Sequence, residues 1–324
     1  MDRIAEFQHI INKLLNEQNF KRSPEALYAP IDYVMSQGGK RLRPMLTLLA
    51  CDMFDGNIQN ALYPALAIEV FHNFTLVHDD IMDKAPMRRG LETVYKKWNS
   101  DIAILSGDTM FAMAYQFAVK TDPVLIPDIL DVFSKTAIEV CEGQQLDMDF
   151  EQLELVSIED YLRMITLKTA VLLGASLKIG ALTAYADKKA VEEMYQFGIN
   201  LGIAFQLQDD LLDVYGQEET FGKKNGGDIV SNKKTYLYLK ARELANEQQN
   251  ATLKELYDSS SADAEVKIKK VTDIFNELNI KEEVSKVMSD FYTKSLHHLE
   301  QSGADPVKLS LLKSFANQLY TRSH

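Results

Sequence analysis

The sequence predicts an all-α protein, a single domain over residues 1–324 built from ten or more helices. Three observations carry that expectation. Gly and Pro number only 15 and 8 in 324 residues, too few backbone punctuators for the many tight turns of a β fold. Apolar-periodic runs of helix length alternate with short breaks at Gly38-Gly39, Asp55-Gly56, Asp122-Pro123, Tyr215–Gly227, Ser259–Asp263 and Ser302–Pro306. The run Ala61–Val77 is apolar nearly all round, with His72 among its few polar interruptions, the pattern of a buried helix.

Composition narrows the function. Apolar residues make up 46% and charged residues 25% of the chain, the balance of a globular protein with a full core. A net charge of −12 argues against general affinity for nucleic acid or an anionic membrane. An anionic ligand would therefore need its cations concentrated locally. Cys51 and Cys141 stand in no metal-like spacing, so a reducing compartment is expected. The amphipathic, acid-containing N-terminus does not read as a signal peptide. The apolar stretch Ala170–Ala184 is short and interrupted by Lys178, so no transmembrane helix is expected. The Asn-x-Thr triplets at Asn73 and Asn250 then read as chance matches, and the location as cytoplasmic.

One motif occurs twice. Ala61–Val77 runs into His78-Asp79-Asp80-Ile81-Met82-Asp83, and a second apolar run ends in Asp209-Asp210-Leu211-Leu212-Asp213. Residues four apart on a helix are neighbours, so Asp79 and Asp83 share a face with His72, and Asp209 shares one with Asp213. Gly202 and Gly198 lie on the second face; glycine inside a helix costs about 1 kcal/mol relative to alanine, which suggests room for a ligand or a close neighbour. Bunched carboxylates repel unless a cation sits between them. Hard oxygen donors, few per site, suit Mg²⁺ completed by water and phosphate. A solvated helix end is the bland reading of one such cluster, and two with the same spacing weigh against it.

Metal-bound phosphates would need flanking cations, and four places supply them. Gly38-Gly39-Lys40-Arg41-Leu42-Arg43-Pro44 sets three cations on a flexible turn before an apolar helix. Arg88-Arg89-Gly90 follows the first cluster, and Lys168-Thr169 sits inside the apolar stretch Met164–Leu173. Gly222-Lys223 through Gly227-Asp228, then Lys233-Lys234-Thr235, follow the second. The order GxxxxGK[ST] is absent there, so a nucleotide P-loop is unsupported.

These residues resemble the trans-isoprenyl diphosphate synthases. LVHDDIMDKAPMRRG at 76–90 is similar to the family's first aspartate-rich signature and LGIAFQLQDDLLD at 201–213 to its second. GGKRLRP at 38–44, Gly143-Gln144-x-x-Asp147, Lys168-Thr169 and the Lys223…Asp228…Lys233 segment fall in the family's order. The resemblance implies an all-α fold around a deep central cavity, as a homodimer. It implies a prenyltransferase that ionises an allylic diphosphate, joins the cation to isopentenyl diphosphate in 1'-4 elongation, loses a proton and releases diphosphate.

It also implies roles. Asp79 and Asp83 would hold two Mg²⁺ and Asp209 a third, with Asp80, Asp210 and Asp213 in support. Arg88, Lys168, Thr169, Gln206, Lys223 and Lys233 would contact the allylic diphosphate. Lys40, Arg43, His72 and Arg89 would hold isopentenyl diphosphate. Fixed cations and metal facing the departing diphosphate are what carbon–oxygen cleavage requires. No protein nucleophile is needed, and the departing diphosphate can act as base.

Product length is implied by the helix before the first cluster. Phe74 and Thr75 precede Asp79 by five and four residues, a pairing that resembles geranylgeranyl (C20) synthases of the archaeal type. On an ideal helix Thr75 lies about 40° from Asp79, Phe74 about 140° and Phe71 about 80°, so Phe71 is an equal candidate for the floor. A C15 or longer product remains open. Two further classes compete: a terpene cyclase, which normally lacks the second cluster and the cradle at Lys40, Arg43 and Arg89, and a non-catalytic subunit of a heteromeric synthase, which tends to lose aspartates.

Overall fold

A computed structural model describes residues 3–216, 225–258 and 263–321. Helices dominate: α1 (Arg3–Glu17), α2 (Glu25–Ser36), α3 (Leu42–Met53), α4 (Ile58–Met82), α5 (Val94–Lys97), α6 (Ser100–Ala118), α7 (Ile126–Gln152), α8 (Ile158–Ile165), α9 (Val171–Thr183) and α10 (Lys188–Tyr215). They continue as α11 (Gly227–Val230), α12 (Tyr236–Leu244), α13 (Glu247–Asp258), α14 (Ala264–Glu277), α15 (Ile280–Gln301) and α16 (Pro306–Tyr320). The chain divides into two compact units, each assembled from three segments. The first comprises 1–137, 172–195 and 302–308; the second comprises 138–171, 196–301 and 309–324.

The first unit is built on α4, which packs against α3 and α6. Its apolar run buries Ala65, Leu66, Ile68, Val70, Phe71, Phe74 and Val77, together with the polar Glu69 and Asn73. Asn57 caps the start, its side chain accepting from the Gln59 N–H. The end is a Schellman motif: the Ala85 N–H donates to the Asp80 carbonyl and the Lys84 N–H to that of Ile81, with Lys84 in the left-handed region at φ 52°. This stop places all three aspartates of the first cluster on or just past the last turn. Asn73 is 1% exposed, which removes its triplet as a modification site.

A short hairpin follows within this all-α architecture. Met87–Arg88 and Leu91–Glu92 form an antiparallel hairpin, pairing Met87 with Glu92 and Arg88 with Leu91. Arg89 and Gly90 make its tip at φ 52° and 77°, both positive as a type I′ turn requires. Two residues per strand are too few for any periodicity to announce.

In the second unit the core gathers Phe150, Tyr161, Ile165, Leu207, Leu237, Val271, Phe275 and Val284. Ser157 starts α8 with a full capping box, reciprocated by Asp160. Between α8 and α9 the backbone widens into a π-helical turn over Thr166–Ala170, so helical structure runs unbroken from 158 to 183. The apolar stretch is thus part of a longer helical run than Ala170–Ala184. The 26-residue run Ile158–Thr183 is long and apolar enough to cross a membrane, but 67% of its most apolar window is buried in the protein, as for a core helix.

Two glycines make the π-turn possible. A Cβ on Gly143 of α7 would lie 2.2 Å from the Lys168 backbone nitrogen, and one on Gly202 of α10 would lie 2.6 Å from the Ala170 Cα. Gly202 thus admits a close neighbour, the second of the two sequence readings, and the helices on either side touch the turn backbone to backbone. Gly143→Ala is expected to lower stability by about 1–3 kcal/mol through overpacking against main chain that has little room to retreat. The shift of the urea midpoint checks this, and an unmoved midpoint would mean the contact is loose.

Candidate active site

In the first unit the sequence-predicted anion ligands gather around α4. Arg43 Nη1 lies 3.2 Å from His72 Nε2. Arg89, at the hairpin tip, donates to the Gly38 carbonyl at 3.1 Å, and a Cβ on Gly39 would stand 3.2 Å from its Nη1. Lys40 is exposed beside them. Burial, then the charges of Arg43, Arg89, Arg88 and Arg41, hold the His72 imidazole well below its ordinary range. It is therefore a neutral ring within a field of guanidinium groups, which an anion would relieve.

The first aspartate cluster divides by environment. Asp80 is 4% exposed and accepts from Arg88 Nε at 2.7 Å. Asp79 is half-buried and Asp83 exposed; the Asp83 N–H donates to the Asp79 carbonyl at 2.8 Å. Carboxylates at a helix C-terminus oppose the macrodipole, so this end favours a counter-cation.

Phe71 and Phe74 occur together in an aromatic cluster drawn from α4, α6 and α7. Phe71 lies 5.5 Å from Phe74, 6.0 Å from Phe111 and 5.4 Å from Phe133, ring centre to ring centre. Phe111 is 5.2 Å from Phe74, and Tyr115 closes the group at 5.2 Å from Phe111 and 5.0 Å from Phe133. Thr75 turns its hydroxyl back to the His72 carbonyl at 2.8 Å. Phe111, Tyr115 and Phe133 are missed by sequence reasoning, since they lie in other helices and carry no motif.

The second unit holds a pocket of about 180 Å³, below the ~300–1,000 Å³ typical of sites for whole drug-sized ligands and so on the scale of a head group. Lys168, Thr169, Gln206, Asp210 and Lys233 line it, with Asp147, Tyr161, Asp228 and Lys234. The π-turn presents Lys168 and Thr169, as π-bulges frequently do at functional sites. Lys168 Nζ donates to Asp147 at 2.5 Å, and the Thr169 hydroxyl to Gln206 at 3.1 Å.

Asp210 is 3% exposed and is held by the Tyr161 hydroxyl and by Gln206, whose Nε2 donates to it at 3.2 Å. Burial and the charge of Asp228 push its carboxyl well above the usual range, and those two hydrogen bonds pull it back. Asp209 is half-buried on the same helix. Asp213 has local work: it accepts from the Asp228 N–H at 3.0 Å, capping the first turn of α11.

The paired lysines also separate. Lys234 Nζ donates to the Phe150 carbonyl at 2.7 Å, closing the C-terminus of α7, whereas Lys233 lines the pocket. Lys223 lies outside the described residues. Tyr161 and Asp228 emerge as members of this half; a tyrosine in an amphipathic helix gives no signal of its own.

Among the described residues, no three His, Cys, Asp or Glu side chains form a ready-made metal cluster. The carboxylates of the two clusters are paired at helical spacing, Asp79 with Asp83 and Asp209 with Asp213. Such sets fit a hard cation that takes one or two carboxylates and completes its shell with water and phosphate.

Each unit thus presents an aspartate-rich helix end together with basic side chains, a combination suited to diphosphate esters. Comparison with known proteins agrees. Residues 24–275 match the polyprenyl synthetase family. The chain is 44% identical over 222 residues to the geranylgeranyl diphosphate synthase of Methanosarcina mazei, covering 68% of each. It is 37% identical over 281 residues to the geranylfarnesyl diphosphate synthase of Natronomonas pharaonis, covering 81% of each. A crystal structure of a geranylgeranyl pyrophosphate synthase superposes with a TM-score of 0.94 at 42% identity, covering 99% of both chains. The chain belongs to the polyprenyl synthetase family and is an isoprenyl diphosphate synthase. Enzymes of this family generally use Mg²⁺.

The depressed His72 has a consequence for stability. The unfolded chain binds a proton on this ring near pH 6.5, and the folded protein does so only at lower pH. Its contribution is therefore fully present above about pH 6.5 and lost as pH falls toward the folded value. Between about pH 6.5 and 5 the Tm of the unmodified protein should fall relative to that of His72→Gln, measured in parallel thermal melts. A constant difference across that range would mean the ring titrates normally.

Proposed function

We propose that the enzyme elongates an allylic diphosphate with isopentenyl diphosphate and that its product is geranylgeranyl diphosphate (C20). The observation that carries the product length is the ring cluster of Phe71 and Phe74, on the helix that carries Asp79, with Phe111, Tyr115 and Phe133 from α6 and α7. Thr75 leaves the first turn before Asp79 narrow in side chain, and the rings stop a growing tail below it. Relatives named for C20 and for geranylfarnesyl synthesis stand at comparable identity, so length is decided by a few local side chains rather than by the fold.

In the first unit Lys40, Arg43, His72 and Arg89 bind the diphosphate of isopentenyl diphosphate and hold it while its double bond attacks. Asp79 and Asp83 there, and Asp209 in the second unit, would hold Mg²⁺, probed best as three ions per site. Bound Mg²⁺ supplies Lewis-acid charge to the departing diphosphate.

The protein's own cations do the rest of that work. Arg88, Lys168, Lys223 and Lys233, with Thr169 and Gln206, orient the allylic diphosphate and face the negative charge that grows as the carbon–oxygen bond breaks. The electron pair of that bond leaves with diphosphate. The isopentenyl double bond then forms the new carbon–carbon bond, and a proton from the adjacent carbon passes to the diphosphate. Asp80 and Asp210 position their neighbours through Arg88 and Tyr161, and Asp213 does so through α11.

The family match runs without interruption from 24 to 275, through segments of both units, which supports one functional domain over 1–324. Ile104 and Leu105 of α6 are 45% and 55% exposed, an apolar face that supports a homodimer. Cys51 and Cys141 as thiols are in keeping with a cytoplasmic location.

A product assay with isopentenyl diphosphate, Mg²⁺ and C5, C10 or C15 allylic diphosphates tests the reading. One C20 product is expected; another single length would keep the reaction and discard the floor. Phe74→Ala should lengthen the product, and an unchanged length would remove Phe74 from that role. Asp79→Ala should lower kcat by several orders of magnitude, roughly the scale of losing a main transition-state charge stabiliser, while the Tm holds.

A further inference from the structure

A buried ion pair lies beside the arginine-rich group of the first unit. Arg41 is 7% exposed and Glu69 3%, and Arg41 Nη1 donates to Glu69 Oε1 at 2.6 Å. The same guanidinium donates through Nη2 to the Met35 carbonyl at 2.9 Å and the Gln37 carbonyl at 2.6 Å. These are carbonyls at the end of α2, which no further helical turn satisfies. Asn73, one turn beyond Glu69, gives its Nδ2 to the Glu69 carbonyl at 2.8 Å and to Oε1 at 2.9 Å. One carboxylate oxygen is thus held by two donors, and one guanidinium joins α2 to α4.

Arg41 adopts φ 45°, a left-handed conformation that is uncommon for an arginine and is kept only when surroundings over-determine it. Its side chain is buried while Lys40 beside it is exposed and Arg43 half-buried. The loop Gly38–Lys40 is therefore anchored at the residue that follows it. Arg89 depends on that loop through the Gly38 carbonyl, and Arg43 opens α3 two residues after the anchor. His72 lies on α4 between Glu69 and Asn73, so the clamp on Glu69 brackets the ring that Arg43 meets.

A buried ion pair adds little net stability over an apolar pair, because desolvation offsets the Coulomb gain, whereas breaking one partner is strongly disruptive. Placement is the use that remains. We propose that Arg41, Glu69 and Asn73 are positioning residues that set the geometry of the isopentenyl diphosphate cradle, and so the affinity for that substrate alone. This rests on the assignment of Lys40, Arg43, His72 and Arg89 to isopentenyl diphosphate.

The test is steady-state kinetics of Glu69→Gln, varying each substrate in turn with the other saturating. The KM for isopentenyl diphosphate should rise about tenfold or more, the scale of losing an outer partner of a ligand-holding group, with kcat and the allylic KM moving less than about threefold. If Glu69→Gln fails to fold, Asn73→Ala keeps both charges and should raise the same KM by about threefold. An unchanged KM for isopentenyl diphosphate, or a fall in kcat with both KM values rising together, overturns the proposal, since a merely structural role would move all three or only the Tm.

Arg43→Ala is measured beside them. If it too leaves the isopentenyl diphosphate KM unmoved, the cradle assignment fails and this inference with it. If Arg43→Ala raises that KM and the Glu69 and Asn73 variants do not, the positioning role alone is lost.

Discussion

Cations gathered to receive an anion repel one another, and this constraint shapes the molecule more than any other. Two like charges about 4 Å apart near a protein surface disfavour each other by about 4 kcal/mol. In a chain of net charge −12 the counter-charges are plentiful, and they are placed one by one. Arg41 has Glu69, Arg88 has Asp80 and Lys168 has Asp147. Lys234 has the open end of α7. At His72, burial first and then the neighbouring arginines hold the imidazole well below its ordinary range. Each pairing fixes a side chain before substrate arrives, so less order has to be found at binding.

The same constraint explains why charged groups are buried at all. Glu69 and Asn73 interrupt one of the most apolar helices in the chain, and Asp80 and Asp210 are among its least exposed carboxylates. None is an error of packing. Glu69, Asp80 and Asp210 accept from named donors on another element or the next turn, and Asn73 donates to Glu69. Apolar helices carry the stability, and a few polar groups within them carry the geometry.

Much of this was legible in the sequence. The helical class followed from few Gly and Pro, and the candidate site was proposed from the repeated DDxxD spacing with its flanking Lys and Arg. Those signals are local: side chains four apart share a face whatever surrounds them. What escaped is non-local or too short to have a period. The hairpin at Met87–Glu92 has two residues per strand. Arg41 reads as one more cation of its loop until its left-handed backbone turns it inward. Tyr161 reaches Asp210 across 49 positions. Phe111, Tyr115 and Phe133 join Phe71 only through packing. Gly143 and Gly202 were visible, but their reason was the main chain of the π-turn they touch.

That turn also bears on how the protein can change over time. Thr166–Ala170 winds with one residue more than an α-helical turn requires, so the segment carries an insertion written into its backbone. Losing Thr166 or Leu167 would leave every recognisable motif intact by eye. The helix would still form. It would return to α-helical winding, and residues past the deletion would swing by about 100°, parting Lys168 and Thr169 from Asp147 and Gln206. Substitutions along this stretch act singly, according to size and polarity, whereas the gain or loss of one residue would change the winding itself and the direction of every side chain beyond it.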